Sequence, residues 1–389
     1  MNPPRPMADR MRAIQPFHVM EVMARTRALE AEGRSIIHME IGEPDFPTPA
    51  PVTEAAAQAI RENAMHYTLS LGLPALRQAI AAFYRDRYGV NVPASRIMVT
   101  PGASGALLLA AGVLLNPGDR VLMADPGYPC NRHFVHFVGG IPVGVPVDAS
   151  TAYQLTPERV AAHWTENTAA VLLASPSNPT GTLIDQGALA AIARFVENRG
   201  AQLIVDEIYH GLVYDTDAPT VLAVSDQAFV VNSFSKYFNM TGWRLGWAVV
   251  PESHVRAADV LQQNLFIAAS TPAQHAALAA FRPENLAILE ARRQEFQRRR
   301  DYLLPALRGL GFDIPCTPQG AFYLYANCER FTADSQAFAL DVLEQTGVAM
   351  TPGLDFGAHA PEKHVRFAYT TSLDKLREGV QRLQECLAR

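Results

Sequence analysis

A chain of 389 residues exceeds what one compact core usually organises, so two domains are expected. Its 49% hydrophobic and 18% charged residues are those of an ordinary globular protein, and its net charge of −5 gives no general attraction to nucleic acid or to an anionic membrane. The opening residues lack the apolar core of a signal peptide, the longest apolar run (106–115) is too short to span a bilayer, and Cys130, Cys316, Cys328 and Cys386 show no framework spacing; a cytoplasmic enzyme with reduced thiols is expected.

In chain order, residues 97–100 read as a strand, Gly102-Ala103-Ser104-Gly105 as a turn and 106–115 as a helix. Short β-type runs follow at 120–124, 170–174, 202–205, 228–232 and 246–250, with helical patterns such as 186–198 between several of them. This alternation predicts an α/β fold, a mostly parallel sheet covered by helices on both faces. After about residue 285 the texture changes. A long charged helix, 286–307, precedes short strands near 321–325 and 365–369 and helices at 335–345 and 374–387, an α+β pattern that forms the expected second domain. Arg292, Arg293, Arg298, Arg299 and Arg300 alternate with Glu290, Glu295 and Asp301 on the long helix, so this basic run reads as a solvated face.

In open α/β sheets, ligands sit beyond the carboxyl ends of the strands. Ser233-Phe234-Ser235-Lys236 ends the run 228–232, and Arg244 follows eight residues after the lysine. A lysine sheltered there suits imine formation with a carbonyl compound, while Ser233, Ser235 and Arg244 suit a phosphate. Aldehyde plus phosphate is the chemical description of pyridoxal 5'-phosphate (PLP). Gly102-Ala103-Ser104 follows a strand and offers a phosphate its N–H groups and a hydroxyl, although many strand–helix turns carry glycine. Asp206 ends the run 203–205 and suits a protonated ring nitrogen, or else simply caps a helix. Asn178, within Ser177-Asn178-Pro179-Thr180-Gly181, offers an amide at the same edge or belongs to a plain tight turn. Cys130, His133 and His136 lie three residues apart and mimic a metal site. Zinc needs three or four convergent ligands and no distant partner is evident, so ordinary helix residues are expected there.

The order of these motifs, together with Tyr128, Asp206-Glu207-Ile208-Tyr209 and a late Arg366, resembles the class I/II aminotransferases of PLP fold type I, the aspartate aminotransferase superfamily. The likeness runs from Pro16-Phe17 and residues 41–46 to residues 365–368, nearly the whole chain. It implies a large PLP-binding domain, 46–284, with a mostly parallel seven-stranded-type sheet, and a smaller α+β domain built from both chain ends, 1–45 and 285–389. It implies that Lys236 holds the cofactor as an imine and then moves the proton of the substrate Cα. Asp206 would pair with the pyridinium nitrogen and keep the ring an electron sink. Asn178 and Tyr209 would hydrogen-bond the phenolic oxygen, with Tyr128 stacked on the ring.

The same resemblance makes Gly102, Ala103, Ser104, Ser233, Ser235 and Arg244 the phosphate cup. Tyr67 matches a tyrosine that reaches the phosphate of the neighbouring subunit's cofactor, which implies a homodimer with shared active sites. Arg366 would clamp the substrate α-carboxylate in bidentate fashion, with Asn178 beside it, and Gly42 would let the substrate approach the backbone closely. Ile14 and Phe17, with His18, would line the side-chain pocket and suit an apolar or aromatic substrate.

The expected activity is therefore transfer of an amino group between an L-amino acid and a 2-oxo acid by a ping-pong mechanism. A C–S β-lyase on the same fold uses the same lysine, aspartate and arginine and is the alternative. A PLP-binding regulator is less favoured, because it needs an N-terminal DNA-binding module and fewer than ~50 residues precede the large domain. A nicotinamide-dependent dehydrogenase would need a G-x-G-x-x-G that the chain lacks. Ser104 stands where some dicarboxylate-using relatives carry a lysine, which argues against aspartate as the sole donor.

Overall fold

The computed structural model describes residues 6–388. The chain enters through α1 (Val19–Ala31) and the two-residue strand β1 (Ile37–His38), then α2 (Ala50–Arg61) and α3 (Pro74–Tyr88). The main sheet follows, built from β2 (Ile97–Thr100), β3 (Arg120–Asp125), β4 (Ile141–Pro146), β5 (Thr168–Ala174), β6 (Gln202–Asp206), β7 (Phe229–Ser233) and β8 (Gly246–Val249). These seven strands hydrogen-bond in the order β2-β8-β7-β6-β5-β3-β4. Every pairing is parallel except those of β8, which runs against both neighbours.

Helices α4 (Gly102–Leu114), α5 (Pro129–Phe137), α6 (Pro157–His163), α7 (Gln186–Glu197), α8 (Glu252–Leu265) and α9 (Thr271–Ala280) surround this sheet. The strands are apolar on both faces because both are covered. Val171, Leu173, Val205 and Val230 point into one core, while Leu172, Ile204 and Val231 point into another with Ala106 and Ala110 of α4.

The last third of the chain forms α10 (Pro283–Leu310), β9 (Tyr323–Asn327), α11 (Ser335–Thr346), β10 (Val348–Ala349), β11 (Thr351–Pro352), β12 (His364–Ala368) and α12 (Leu373–Leu387). An antiparallel sheet runs β11-β12-β9, and β1 joins this layer by pairing in parallel with β10. The start of the chain therefore packs with its end, as α1 does against α11. Among the described residues no helix is long and apolar enough to cross a membrane.

Three local readings change. Residues 102–105 are the first turn of α4 rather than a separate turn. Strand β4, Ile-Pro-Val-Gly-Val-Pro, escapes an alternation search because two prolines and a glycine interrupt it; as an edge strand it tolerates the missing donors. The basic run of α10 is not a uniformly solvated face. Arg299 and Arg300 are buried, and Arg299 pairs with Asp45 and Glu295 while Arg300 pairs with Asp215 and Asp301. The helix has a charged seam against the rest of the protein, which an i, i+4 pattern alone cannot distinguish from exposure.

Candidate active site

The parallel strands end at one edge, and each delivers a polar residue there. Asp206 is the last residue of β6, Ser233 the last of β7, and Asn178 follows β5 by four residues. Because β8 runs the other way, its first residue Gly246 lies beside Ser233 and Thr100 at that same edge, which brings the preceding Arg244 to the start of α4. β12 and the segment after β1 close the site from the other layer. A cavity of about 240 Å³ results, lined by Phe17, Gly42, Tyr128, Asn178, Tyr209, Lys236 and Arg366 among others.

Lys236 reaches across from the β7 loop and donates from Nζ to the Gly42 carbonyl at 2.6 Å. Burial, with the positive charge of Arg366, pushes its ammonium down to about 8. Asp206 is buried, with the Ile208 N–H its hydrogen-bond donor at 3.1 Å. Desolvation raises this carboxyl to about 7, and the Lys236 charge offsets little of it. The Tyr209 hydroxyl lies 2.9 Å from that of Tyr323, and burial keeps it a neutral phenol. Tyr128 ends the turn into α5 and accepts from the Cys130 thiol at 3.2 Å, so Cys130 is turned toward this tyrosine. Among the described residues no group of three His, Cys, Asp or Glu side chains could hold a metal.

Arg366 is buried in β12 and held from several sides. It donates to Asn178 Oδ1 at 2.9 Å, to the Glu40 carbonyl at 2.8 Å and to Thr351 Oγ1 at 3.1 Å. Its guanidinium lies 4.2 Å from the Tyr323 ring centre and 4.9 Å from that of Phe356. Three of the five guanidinium N–H groups are thus engaged, and the buried Nε–H has no partner. A fixed cation with a free donor beside the lysine suits a carboxylate.

At the phosphate corner, α4 begins at Gly102 with no side-chain cap, so its first N–H groups are unsatisfied. Gly102 has φ +70°, and a Cβ there would lie 2.9 Å from Arg244 Nη2. A Cβ on Gly246 would lie 2.7 Å from the Ala103 nitrogen. Both glycines therefore keep a cradle open between the helix start and Arg244. Ser104 is exposed in the first turn; Ser233 is buried and its Oγ accepts from the Ser235 N–H at 3.0 Å.

Two expected residues, Tyr67 and Ile14, stand apart from the cavity. Tyr67 is 83% exposed and contributes nothing to its own cavity. Ile14 is not among the residues lining this cavity or the neighbouring one of about 420 Å³, whereas Phe17 lines both and His18 lines the larger. Gly42 gives close approach to a residue of the protein itself, since a Cβ there would lie 2.2 Å from the Tyr323 hydroxyl. Sequence reading missed Tyr323, Glu40, Thr351 and Phe356. Tyr323 and Thr351 are placed by the β9–β12–β11 pairing, and Glu40 and Phe356 by segments outside those strands that reach Arg366 only in the folded chain.

The residues fit PLP on three counts. Asp206 is a buried carboxylate lacking the cation that a pyridinium nitrogen would supply. Lys236 is a sheltered amine, and Gly102, Gly246 and Arg244 shape an anion cradle at a helix start. The comparisons agree with this chemistry. The sequence model described as aminotransferase class I and II matches residues 34–383. The chain belongs to the class I and II aminotransferases.

This aminotransferase is 40% identical to the valine–pyruvate aminotransferase of Mycobacterium tuberculosis over 97% of its own length and 98% of the relative's. It is 34% identical to the aspartate/prephenate aminotransferase of Thermus thermophilus, across 99% of this chain and 100% of that one. A crystal structure of an aminotransferase from Mycobacterium tuberculosis superposes with a TM-score of 0.95 at 39% identity, covering 99% of this chain and 100% of that chain. Aminotransferases of this family are PLP enzymes acting on amino acids and 2-oxo acids, so the enzyme's activity is amino-group transfer. The C–S lyase alternative is not favoured, because these relatives carry aminotransferase names.

Proposed function

We propose that this aminotransferase binds PLP through Lys236, Asp206, Asn178, Tyr209, Tyr128, Gly102, Ala103, Ser104, Ser233, Ser235 and Arg244, and clamps the substrate α-carboxylate on Arg366 and Asn178. The observation that carries the reading is one cavity lined by a sheltered lysine, an arginine with a free buried N–H, and Tyr209, Tyr128 and Asn178. Bound PLP would supply the aldehyde that captures the amino group and the ring that absorbs the electron pair released at the substrate Cα.

The chain's own groups do the rest. Arg366 orients the substrate, so that the Cα–H can face Lys236. With its proton affinity lowered to about 8 by burial and Arg366, a fraction of the Lys236 amine is unprotonated near neutral pH, and it would take that proton and return it on the cofactor side. Asp206, ionised once a cation lies beside it, would hold a proton on the ring nitrogen. Tyr209 would donate toward the phenolic oxygen.

The relatives are named for valine with pyruvate and for aspartate with prephenate. Those names span apolar and acidic donors, so the donor here is a proposal. Phe17 at the cavity wall favours an apolar or aromatic side chain, and Gly42 sets the backbone against it. Residues 46–284 and the two chain ends, 1–45 with 285–389, are proposed as the large and small domains. A homodimer with shared sites is supported by exposed Tyr67, Leu69, Leu265 and Ile267. Four free cysteines support work in the cytoplasm.

Borohydride treatment of the purified yellow enzyme, followed by peptide mapping, tests the assignment. The reduced cofactor is expected on Lys236, and stopped-flow spectra with an amino-acid panel should show the fastest bleaching with apolar or aromatic donors. Unchanged activity in Lys236→Ala would refute the lysine assignment, and reaction with aspartate or glutamate alone would refute the apolar pocket.

A further inference from the structure

The loop between β11 and β12 is tied to the main sheet by groups that the reaction does not use. Asp125, the last residue of β3, accepts the Ala358 N–H at 3.1 Å on Oδ1 and 2.9 Å on Oδ2, and the His359 N–H at 3.2 Å. Two glycines make room for this grip. A Cβ on Gly357 would lie 1.7 Å from Asp125 Oδ1, and one on Gly144 in β4 would lie 2.9 Å from Oδ2. Two parallel ties reinforce it, from the Gly127 N–H to the Phe356 carbonyl at 2.8 Å and from Arg132 to the Asp355 carbonyl at 2.5 Å.

The far side of the same loop faces the reaction cavity. Phe356 packs against the Arg366 guanidinium, and the Asp355 carboxylate accepts the His18 and Val19 N–H groups at 2.5 and 3.0 Å. That second contact anchors the start of α1, whose Val19 lines the cavity beside Phe17. One loop therefore sets both the wall behind the clamp and the segment that closes the cavity.

We propose that Asp125 is a positioning residue for transamination: by gripping residues 357–359 it holds Phe356 against Arg366 and Asp355 against α1, and so sets affinity for the amino-acid substrate without touching it. This rests on the reading of Arg366 as the carboxylate clamp. Charge-assisted bonds to two successive amides are strong and directional, and neutral contacts do not replace them.

The full-length holoenzyme tests it with Asp125→Ala, Asp125→Asn and Gly357→Ala, assayed with the fastest donor of an amino-acid panel. Asp125→Ala should raise KM about tenfold or more while kcat changes less than about threefold. Hydrogen exchange at the Ala358 and His359 amides should quicken by at least about tenfold, and PLP affinity by fluorescence titration should not change. Asp125→Asn keeps one acceptor oxygen and should fall between wild type and Asp125→Ala. Gly357→Ala, which leaves the carboxylate intact but pushes the loop away, should reproduce the KM rise. Unchanged exchange in Asp125→Ala overturns the grip, and faster exchange with an unchanged KM overturns the positioning role. Arg366→Lys is measured alongside. An unchanged KM there sinks the clamp, and with it the route from Asp125 to substrate, even where the exchange data stand.

Discussion

At the scale of single residues, Asp206 and Lys236 are costly for the folded protein in the absence of PLP. Asp206 is raised to about 7 by desolvation and Lys236 lowered to about 8. Each shift means that the ionised form is worse off inside than in the unfolded chain. For Asp206 the sign is definite: a raised carboxyl pKa gives relative stability below its unfolded value, which is lost as pH rises through about 7. A ring-nitrogen cation would relieve that cost. Asp206→Asn should therefore gain stability relative to the wild type as pH rises. In the apoenzymes, the variant-minus-wild-type difference in Tm should grow by several degrees between about pH 4 and pH 8, while transamination in the variant falls about 100-fold or more. Glu207, raised to about 8 mainly by its own burial and further by the Asp206 charge, loses that second contribution in the variant, which adds to the same trend with pH. A Tm difference that stays flat with pH would show that Asp206 carries no such penalty.

At the scale of elements, the site exists because β2, β5, β6 and β7 end together and the antiparallel β8 starts where they stop. This much was legible in the sequence, since Gly102, Asn178, Asp206 and Ser233 each follow an apolar run that a sheet must bury. The partners brought by β9, β11 and β12 were not. Tyr323 and Thr351 stand 43 and 15 positions before Arg366 and meet it only through strand pairing, which no local period encodes. Glu40 likewise contributes a carbonyl rather than its side chain, a role no residue type announces. The junction of β2 and α4 yields a sharp expectation. In Gly102→Ala the new methyl meets Arg244 Nη2 and the residue must hold φ +70°. PLP affinity should fall about tenfold or more, while the weaker binding of pyridoxal, which has no phosphate, should hardly change. Equal losses for both ligands in a fluorescence titration would place the cradle elsewhere.

At the scale of the whole molecule, the chain exposes a set of apolar residues close to the phosphate cradle. Tyr67 and Leu69 are 83% and 64% exposed, and Leu265 and Ile267 of the neighbouring segment 47% and 54%. The two segments are joined by the Thr271 hydroxyl donating to the His66 carbonyl at 2.9 Å and the Gln274 amide to Thr68 Oγ1 at 3.1 Å. Phe266, between the two exposed apolar residues of that segment, packs next to Gly105 in the first turns of α4, so the patch adjoins the phosphate cradle. A twofold dimer closed through this patch would carry Tyr67 of each protomer toward the cradle of the other. Mixing two inactive variants decides the point. In a hybrid of Tyr67→Ala with Lys236→Ala, one site collects both defects and the other has neither. After subunit exchange of equal amounts, half of the dimers are hybrids with one intact site of two, so activity should return to about a quarter of wild type. If Tyr67 served the site of its own protomer, every site would keep one defect and mixing would restore nothing; the magnitude of recovery thus separates a shared active site from two independent ones.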